Sequence, residues 1–160
     1  MQLRPASVDD APAISALIHD HLGALTISGT RAGAERFLEF ITPTAIRGYL
    51  ESPQFRYAVA SADGALAGVV GVRQGTHLYH LFVQPQLQRQ GLGRRLWAHA
   101  RDVLIDAAAG VLTVNSSASA VAVYQAFGFQ VHGARVEQNG VAFIPMRLLV
   151  KPAPTPETAP

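Results

Sequence analysis

The sequence predicts a mixed α/β fold, and three observations carry that prediction. Runs with strand-like and helix-like hydrophobic spacing follow one another as β-α-α-β-β-β-α-β-α-β-β. Asp63-Gly64 and Asn139-Gly140 each join two strand-like runs, as hairpin turns do. A third apolar strand, ending at Val83, runs into a Gly-spaced turn that opens a helix. With 160 residues, 49% of them hydrophobic and 15% charged, the chain is sized for one domain with a buried core, expected over 1–150.

Leu3 to Ala6 reads as an opening strand. Ser7-Val8-Asp9-Asp10 followed by Ala11-Pro12 reads as a helix start, since a small polar residue and a Pro in the first turn satisfy that end. This helix is expected to reach about Leu22. The Gly/Thr-rich segment 23–33 reads as a loop, and a second helix spans about Ala34 to Leu50, cut in two by Thr42-Pro43. Phe55 to Ala60 and Leu66 to Val72 form a hairpin through Ala62-Asp63-Gly64-Ala65, and Thr76 to Val83 supplies the third central strand. From Gly91 to about Ala108 the positions Leu92, Leu96, Ala100, Val103 and Ala107 keep helical spacing, with Gly110 as the stop. Val111 to Val114 is a short strand. Ser116-Ser117 caps a further helix carrying Val121, Val123, Tyr124 and Phe127, which Gly128 ends. Strands at about Phe129–Glu137 and Val141–Val150 flank Asn139-Gly140, and Pro145 places the last one at an edge or a bulge because proline cannot donate to a ladder. The Pro-rich tail 151–160 cannot pack a core and is expected to be disordered.

Composition narrows the function classes. The chain has no cysteine, which removes disulfides, thiolate metal sites and a cysteine nucleophile. No apolar run reaches the roughly 18 residues of a membrane span, and Met-Gln-Leu-Arg-Pro lacks a signal-peptide core, so a cytoplasmic protein with no membrane partner is expected. A formal charge of +2 is too mild to argue for nucleic acid. The histidines His19, His21, His99 and His132 show no metal-ligand spacing, and no metal is expected. His99 with Trp97 reads as surface or dimer contact.

The turn after Val83 is built to hold a phosphate. Gly91 and Gly93 let N–H groups approach an anion, a helix start leaves its first N–H groups unpaired, and Arg89, Arg94 and Arg95 stand around the same point. A Walker loop needs Lys then Ser or Thr, which are missing. A dinucleotide fingerprint needs a third glycine where Leu96 stands and an acidic residue where Asn115 stands. The remaining pattern, Gln88-Arg89-Gln90-Gly91-Leu92-Gly93, resembles the pyrophosphate loop of the GNAT superfamily of acyl-CoA N-acyltransferases. The preceding Leu81-Phe82-Val83-Gln84-Pro85 is similar to that family's fourth strand. The segment Val114 to Phe129, ending Tyr124-Gln125-Ala126-Phe127-Gly128-Phe129, resembles its later strand-helix unit.

The resemblance implies a mostly antiparallel sheet of about seven strands flanked by four helices and splayed between the fourth and fifth strands. It implies acetyl-CoA as acyl donor, a primary amine of a small molecule or a peptide N-terminus as acceptor, and direct attack in a ternary complex. Backbone amides from about Arg89 to Arg94, including Gln90, Gly91, Leu92 and Gly93, with Gln88 beside them, would bind the pyrophosphate. The Phe82–Val83 backbone would lie along the pantetheine arm, and Tyr124 would be the general acid toward the leaving thiolate. A phenol near pKa 10 is protonated at pH 7, which suits that role. His77 falls where members of the family carry a catalytic Glu or His. The family also allows a homodimer through the C-terminal strands, and a non-catalytic acyl-CoA-binding or interaction module is the alternative function.

An acceptor amine near pKa 10.4 must lose a proton, at roughly 4 to 5 kcal/mol at pH 7. His77, His80 or a water chain could take it. Strand alternation puts His77, Tyr79, Leu81 and Val83 on one face and Leu78, His80 and Phe82 on the other, so the two histidines share a site only if the strand bulges. His77 is favoured. Asn115 is placed to bond the backbone or the cofactor arm, or to cap the next helix. Acceptor selectivity is expected from residues 22–50, where Glu35 and Glu39 lie one helical turn apart and would either hold a cationic amine or form a solvated face.

Overall fold

The computed structural model describes residues 1–150; the expected disorder at 151–160 lies outside the described residues. Its elements are β1 (Gln2–Pro5), α1 (Ala11–His19), α2 (Leu22–Leu25), α3 (Glu35–Leu38), α4 (Pro43–Glu51), β2 (Phe55–Ala62), β3 (Ala65–Arg73) and β4 (His77–Val83). They continue as α5 (Leu92–His99), β5 (Val111–Ser116), α6 (Val121–Ala126), β6 (Gln130–Val131), β7 (Val136–Gln138) and β8 (Val141–Leu149). The sheet runs β1-β2-β3-β4-β5-β8-β6, with β7 also pairing β8. Every pairing is antiparallel except β4 with β5, which are parallel and meet only at His77 with Thr113 and Leu78 with Val114. Past those two rungs the strands part. The fold is the one expected, splayed between the fourth and fifth strands, but the described residues form eight strands and six α-helices where about seven and four were expected, and α2 falls in the segment read as a loop.

Two apolar layers hold the sheet. On one face α1 and α4 bury Ile14, Ile18 and Ile46 against Tyr57, Val59 and Val69. On the other, α5 and α6 bury Leu96, Trp97 and Tyr124 against Val70, Phe129 and Met146. Burying side chains of this size contributes about 1.5 to 3 kcal/mol each. Trp97, expected at the surface, is instead in this second layer, with Phe127 at 5.6 Å and Phe129 at 5.3 Å between ring centroids.

Several element boundaries differ from expectation, each for a tertiary or local bonding reason. The first helix stops at His19 rather than Leu22, because His21 turns away to bond the Val83 carbonyl across the fold at 2.9 Å. The second is cut before Pro43 as expected, where the Thr42 hydroxyl accepts from the Ala45 N–H. The α5 helix does not run to Ala108 and Gly110 does not end it. It widens into a π turn over Ala100–Leu104, and Asp106 closes the segment by giving its N–H to Gly75 and accepting from the Ala108 N–H. The strand expected at 129–137 is broken into β6 and β7. Pro145 explains the break: it sits in an interior strand, opposite Asn115 of β5, and its carbonyl accepts from the His132 N–H on its other side. A strand residue turns N and C=O to the same side, so the donor that proline lacks is missing where β6 ends.

The hairpin turns read from the sequence are present. Asp63 and Gly64 have φ of 51° and 79°, and Asn139 and Gly140 have 55° and 78°, the paired left-handed conformations of a two-residue hairpin.

Candidate active site

The separation of β4 from β5 opens a cleft between α5 and α6, with a volume of about 640 Å³. A second cavity, of about 300 Å³, lies on the other side of the same opening. Leu78, Tyr79, Phe82, Asn115 and Ser117 line both, so the two chambers meet where the strands part.

The larger cleft is walled by the phosphate-type turn. Gly91 stands immediately before α5 at φ 82°, and Arg89 is also left-handed at φ 63°. A Cβ at Gly91 would touch nothing, so the need for glycine there is conformational rather than spatial. Among the described residues no N–H from Arg89 to Arg94 donates a hydrogen bond within the chain, which leaves a continuous run of donors at the positive end of the helix dipole. Leu92 contributes through its N–H alone, because its side chain is buried in the core. Gln88, Arg89 and Arg94 line the cleft. The Gln90 side chain instead reaches back to the Gln86 carbonyl at 3.5 Å.

Val83 turns its carbonyl away from β3 and into the cleft, where it accepts from His21 Nε2 at 2.9 Å and from the Gln88 side-chain amide at 3.5 Å. The Val83 N–H faces the same way. Tyr124 comes from α6 and is packed edge-on against Phe127 and Phe129, with centroids 6.1 and 5.9 Å away. Its hydroxyl has no hydrogen-bond partner among the described residues and points to the cleft that the residue lines. Burial raises the Tyr124 pKa well above that of an ordinary phenol, so the group is protonated at neutral pH.

The histidines are brought together by a bulge. His80 pairs with Gly71 and Leu78 with Val72, which leaves Tyr79 as an extra residue in β4. Strict alternation therefore fails at Tyr79. Leu78, Leu81 and Val83 share the α5 face, while Tyr79 and Phe82 pack on the α1 face, and His77 and His80 both line the smaller cavity. Gly71 makes the arrangement feasible, since a Cβ there would run into the Tyr57 ring. The Tyr57 hydroxyl bonds His80 Nδ1 at 2.9 Å. With no other partner for that phenol among the described residues, it donates, and neutral His80 carries its proton on Nε2. Burial drops the His80 pKa to about 3, and its acceptor nitrogen is already taken by Tyr57.

His77 Nδ1 lies 2.7 Å from the Thr113 hydroxyl on β5, which sets its ring plane and leaves Nε2 for the cavity. Burial, then the nearby Arg73 charge, lower its pKa to about 4. Asn115 does not cap a helix. It lies within β5, exposed, at the junction of the two chambers, and Ser117 precedes the next helical turn. Glu35 and Glu39 do not face the smaller cavity: Glu35 accepts from the Gly33 N–H, and Glu39 pairs with Arg36. Segment 22–50 reaches that cavity through Leu25, Phe37 and Phe40. Its opposite wall is the β7–β8 hairpin, with Asn139 and Phe143. Arg73, Thr113 and His21 were not legible as site residues, because only pairing across the sheet and across the fold brings them in.

The profile of the family described as "Acetyltransferase (GNAT) domain" matches residues 25–150. The N-alpha-acetyltransferase RimI of Mycobacterium tuberculosis is 31% identical over 130 residues, covering 71% of this chain and 80% of that protein. A GCN5-related N-acetyltransferase from Rhodopseudomonas palustris superposes with a TM-score of 0.71 at 21% identity, over 93% of this chain and 95% of that one. The PaiA N-acetyltransferase of Thermoplasma acidophilum, solved in complex with coenzyme A, gives 0.72 at 15% identity, over 93% and 98%. The profile spans the splayed strands, the Gly91 turn and the Tyr124 helix together, and on that ground the chain belongs to the GNAT family of acetyltransferases.

Proposed function

We propose that this protein transfers the acetyl group of acetyl-CoA to the primary amine of a small molecule or a peptide N-terminus, by direct attack within a ternary complex. The observation that carries the reading is the meeting of two chambers at the point where β4 and β5 part. One is walled by unpaired N–H donors suited to a pyrophosphate, and the other holds a histidine with a free ring nitrogen.

The N–H groups from Arg89 to Arg94, with the Arg89 and Arg94 side chains, hold the pyrophosphate. Hydrogen bonds to a charged acceptor are worth about 1.5 to 3 kcal/mol each, so a few suffice for micromolar binding after association costs. The Val83 backbone steers the arm of the donor along β4, and its N–H or that of Leu81 polarises the thioester carbonyl. His77 Nε2 accepts a proton from the attacking nitrogen as the tetrahedral intermediate forms, when that N–H is far more acidic than a free ammonium. Tyr124 donates a hydrogen bond to the departing sulfur. A thiol near pKa 8.5 is a stronger acid than this buried phenol, so the hydrogen bond stabilises the developing charge before any full proton transfer. Asn115 stands at the junction, within reach of the acyl arm.

The same reading places the protein in the cytoplasm, and no helix among the described residues is long and apolar enough to cross a membrane. It also includes a homodimer through the C-terminal strands, where Val131 and Leu149 are exposed; light scattering after gel filtration measures it. The deciding experiment is thiol release from acetyl-CoA over a panel of amino acids, aryl amines, polyamines, aminoglycosides and short peptides. Acetyl-CoA binding with no transfer to any member would instead indicate a non-catalytic binding module.

A further inference from the structure

We propose that the acceptor is an amine with an aromatic or apolar body and a carboxylate, and that Arg73 is the residue that reads the carboxylate. This rests on the acetyltransferase reading above and concerns only the smaller cavity.

Arg73 ends β3 and lines that cavity, half-buried, with its guanidinium 5.4 Å from the centre of the Tyr79 ring. Among the described residues its guanidinium forms no ion pair and no hydrogen bond, and of the arginines in that state it is the one that lines the smaller cavity. A guanidinium carries five N–H donors in a fixed fork that fits a carboxylate at two points. Leaving that fork unpaired beside a cavity, over the face of the Tyr79 ring, is the geometry of a receptor for an anion. The other walls suit the rest of such a molecule. Phe37, Phe40, Phe82 and Phe143 supply apolar surface, and about 300 Å³ matches a single ring with a short side chain.

The charge balance argues against the opposite class. No acidic residue lines the cavity, among the described residues, so a polyamine or aminoglycoside would bring several positive charges against Arg73 with nothing to pair them. The chemistry at His77 points the same way. The Arg73 charge is one of the two causes holding that imidazole at low pKa, after burial. A bound carboxylate offsets this charge and raises the His77 pKa, which makes the base stronger only when an anionic acceptor is in place.

The test uses acetyl-CoA with L-phenylalanine, phenylalaninamide, 2-phenylethylamine, 4-(aminomethyl)benzoate, 4-(aminomethyl)benzamide, a C-terminally amidated alanyl peptide and spermidine, read as kcat/KM. At least one of the two carboxylates should exceed every acceptor lacking one by about tenfold or more, the scale of one charge-assisted contact. R73Q should cut the ratio of that carboxylate to its amide by about tenfold, mainly through KM, and R73K should restore part of it. Calorimetry with acetyl-CoA shows whether each variant is folded and donor-competent. Preference for spermidine, either amide or the peptide overturns the inference and leaves the acetyltransferase reading standing. An unchanged ratio in R73Q, or no transfer to either carboxylate, also overturns it. Failure of wild-type protein to bind acetyl-CoA is the separate result that would remove the underlying reading.

Discussion

The two chambers that meet at the splay are built in different ways. The larger cleft takes its anion-type donors from one continuous stretch, Gln88 to Arg94, and these are mainly backbone N–H groups. The acceptor cavity draws on β3, β4, β5, the 22–50 segment and the β7–β8 hairpin, and presents side chains: Arg73, His77, Thr113 through its bond to His77, and several phenylalanines. A surface of backbone donors tolerates change in side chains as long as the chain keeps its path. A surface of side chains changes specificity with each substitution. One fold can thus keep its donor while the acceptor varies.

Substitutions on the two sides should separate along this line. The largest effect belongs to Gly91→Val, since a β-branched residue at φ 82° forces the turn to another path. A strain of about 1 to 3 kcal/mol combined with misaligned donors predicts about 100-fold weaker acetyl-CoA binding by calorimetry, equal for every acceptor. Unchanged affinity would falsify the assignment of this turn to the pyrophosphate. Next, Tyr124→Phe should lower kcat about 100-fold with acetyl-CoA affinity nearly unaltered, the usual weight of one positioned acid. Full turnover would reduce Tyr124 to a packing residue.

Thr113→Val removes the hydroxyl that orients His77. A drop of about tenfold in kcat, with donor affinity intact, is expected for a base that loses its ring alignment. Stability adds a pH signature on the same side of the molecule. His77 and His80 are held at about 4 and about 3, below the ordinary 6.5, so between those values and 6.5 the unfolded chain takes up protons that the native chain refuses. Stability should therefore fall as pH falls from 6.5 toward 4, and His77→Gln should flatten that fall in urea titrations at pH 7 and 5. An identical slope in the variant contradicts the buried, neutral His77. The smallest effect is expected for Gln138→Ala on the hairpin wall, a change of about threefold in the ratio of two acceptors with no change for the donor, as for loss of one exposed polar contact.

The contrast between the chambers also decides what was readable in advance. The Gly91 turn, the Tyr124 helix and both hairpins depend on short-range chemistry, since left-handed φ values and helix starts are local demands that appear as Gly, Asn or Asp at fixed spacing. Alternation along β4 was misleading for the same local reason, because it assumes a regular strand. The bulge at Tyr79 answers to Gly71 on the neighbouring strand and to the Tyr57 ring laid over it, partners that lie outside the β4 segment. The early end of α1 follows from His21 bonding Val83, and the split of β6 from β7 follows from Pro145 on the adjacent strand.

The order of elements from β2 to α6, the phosphate-type turn and the family's donor motif were set by the amino-acid sequence alone, because each is encoded within a few residues by backbone conformation and hydrophobic period. Which histidine is free, that Arg73 stands unpaired at the acceptor cavity, and which faces Glu35 and Glu39 avoid were decided only by the tertiary structure. Those are properties of side chains from distant segments, and their pairing depends on strand register, where a single bulge moves a residue from one face of the sheet to the other.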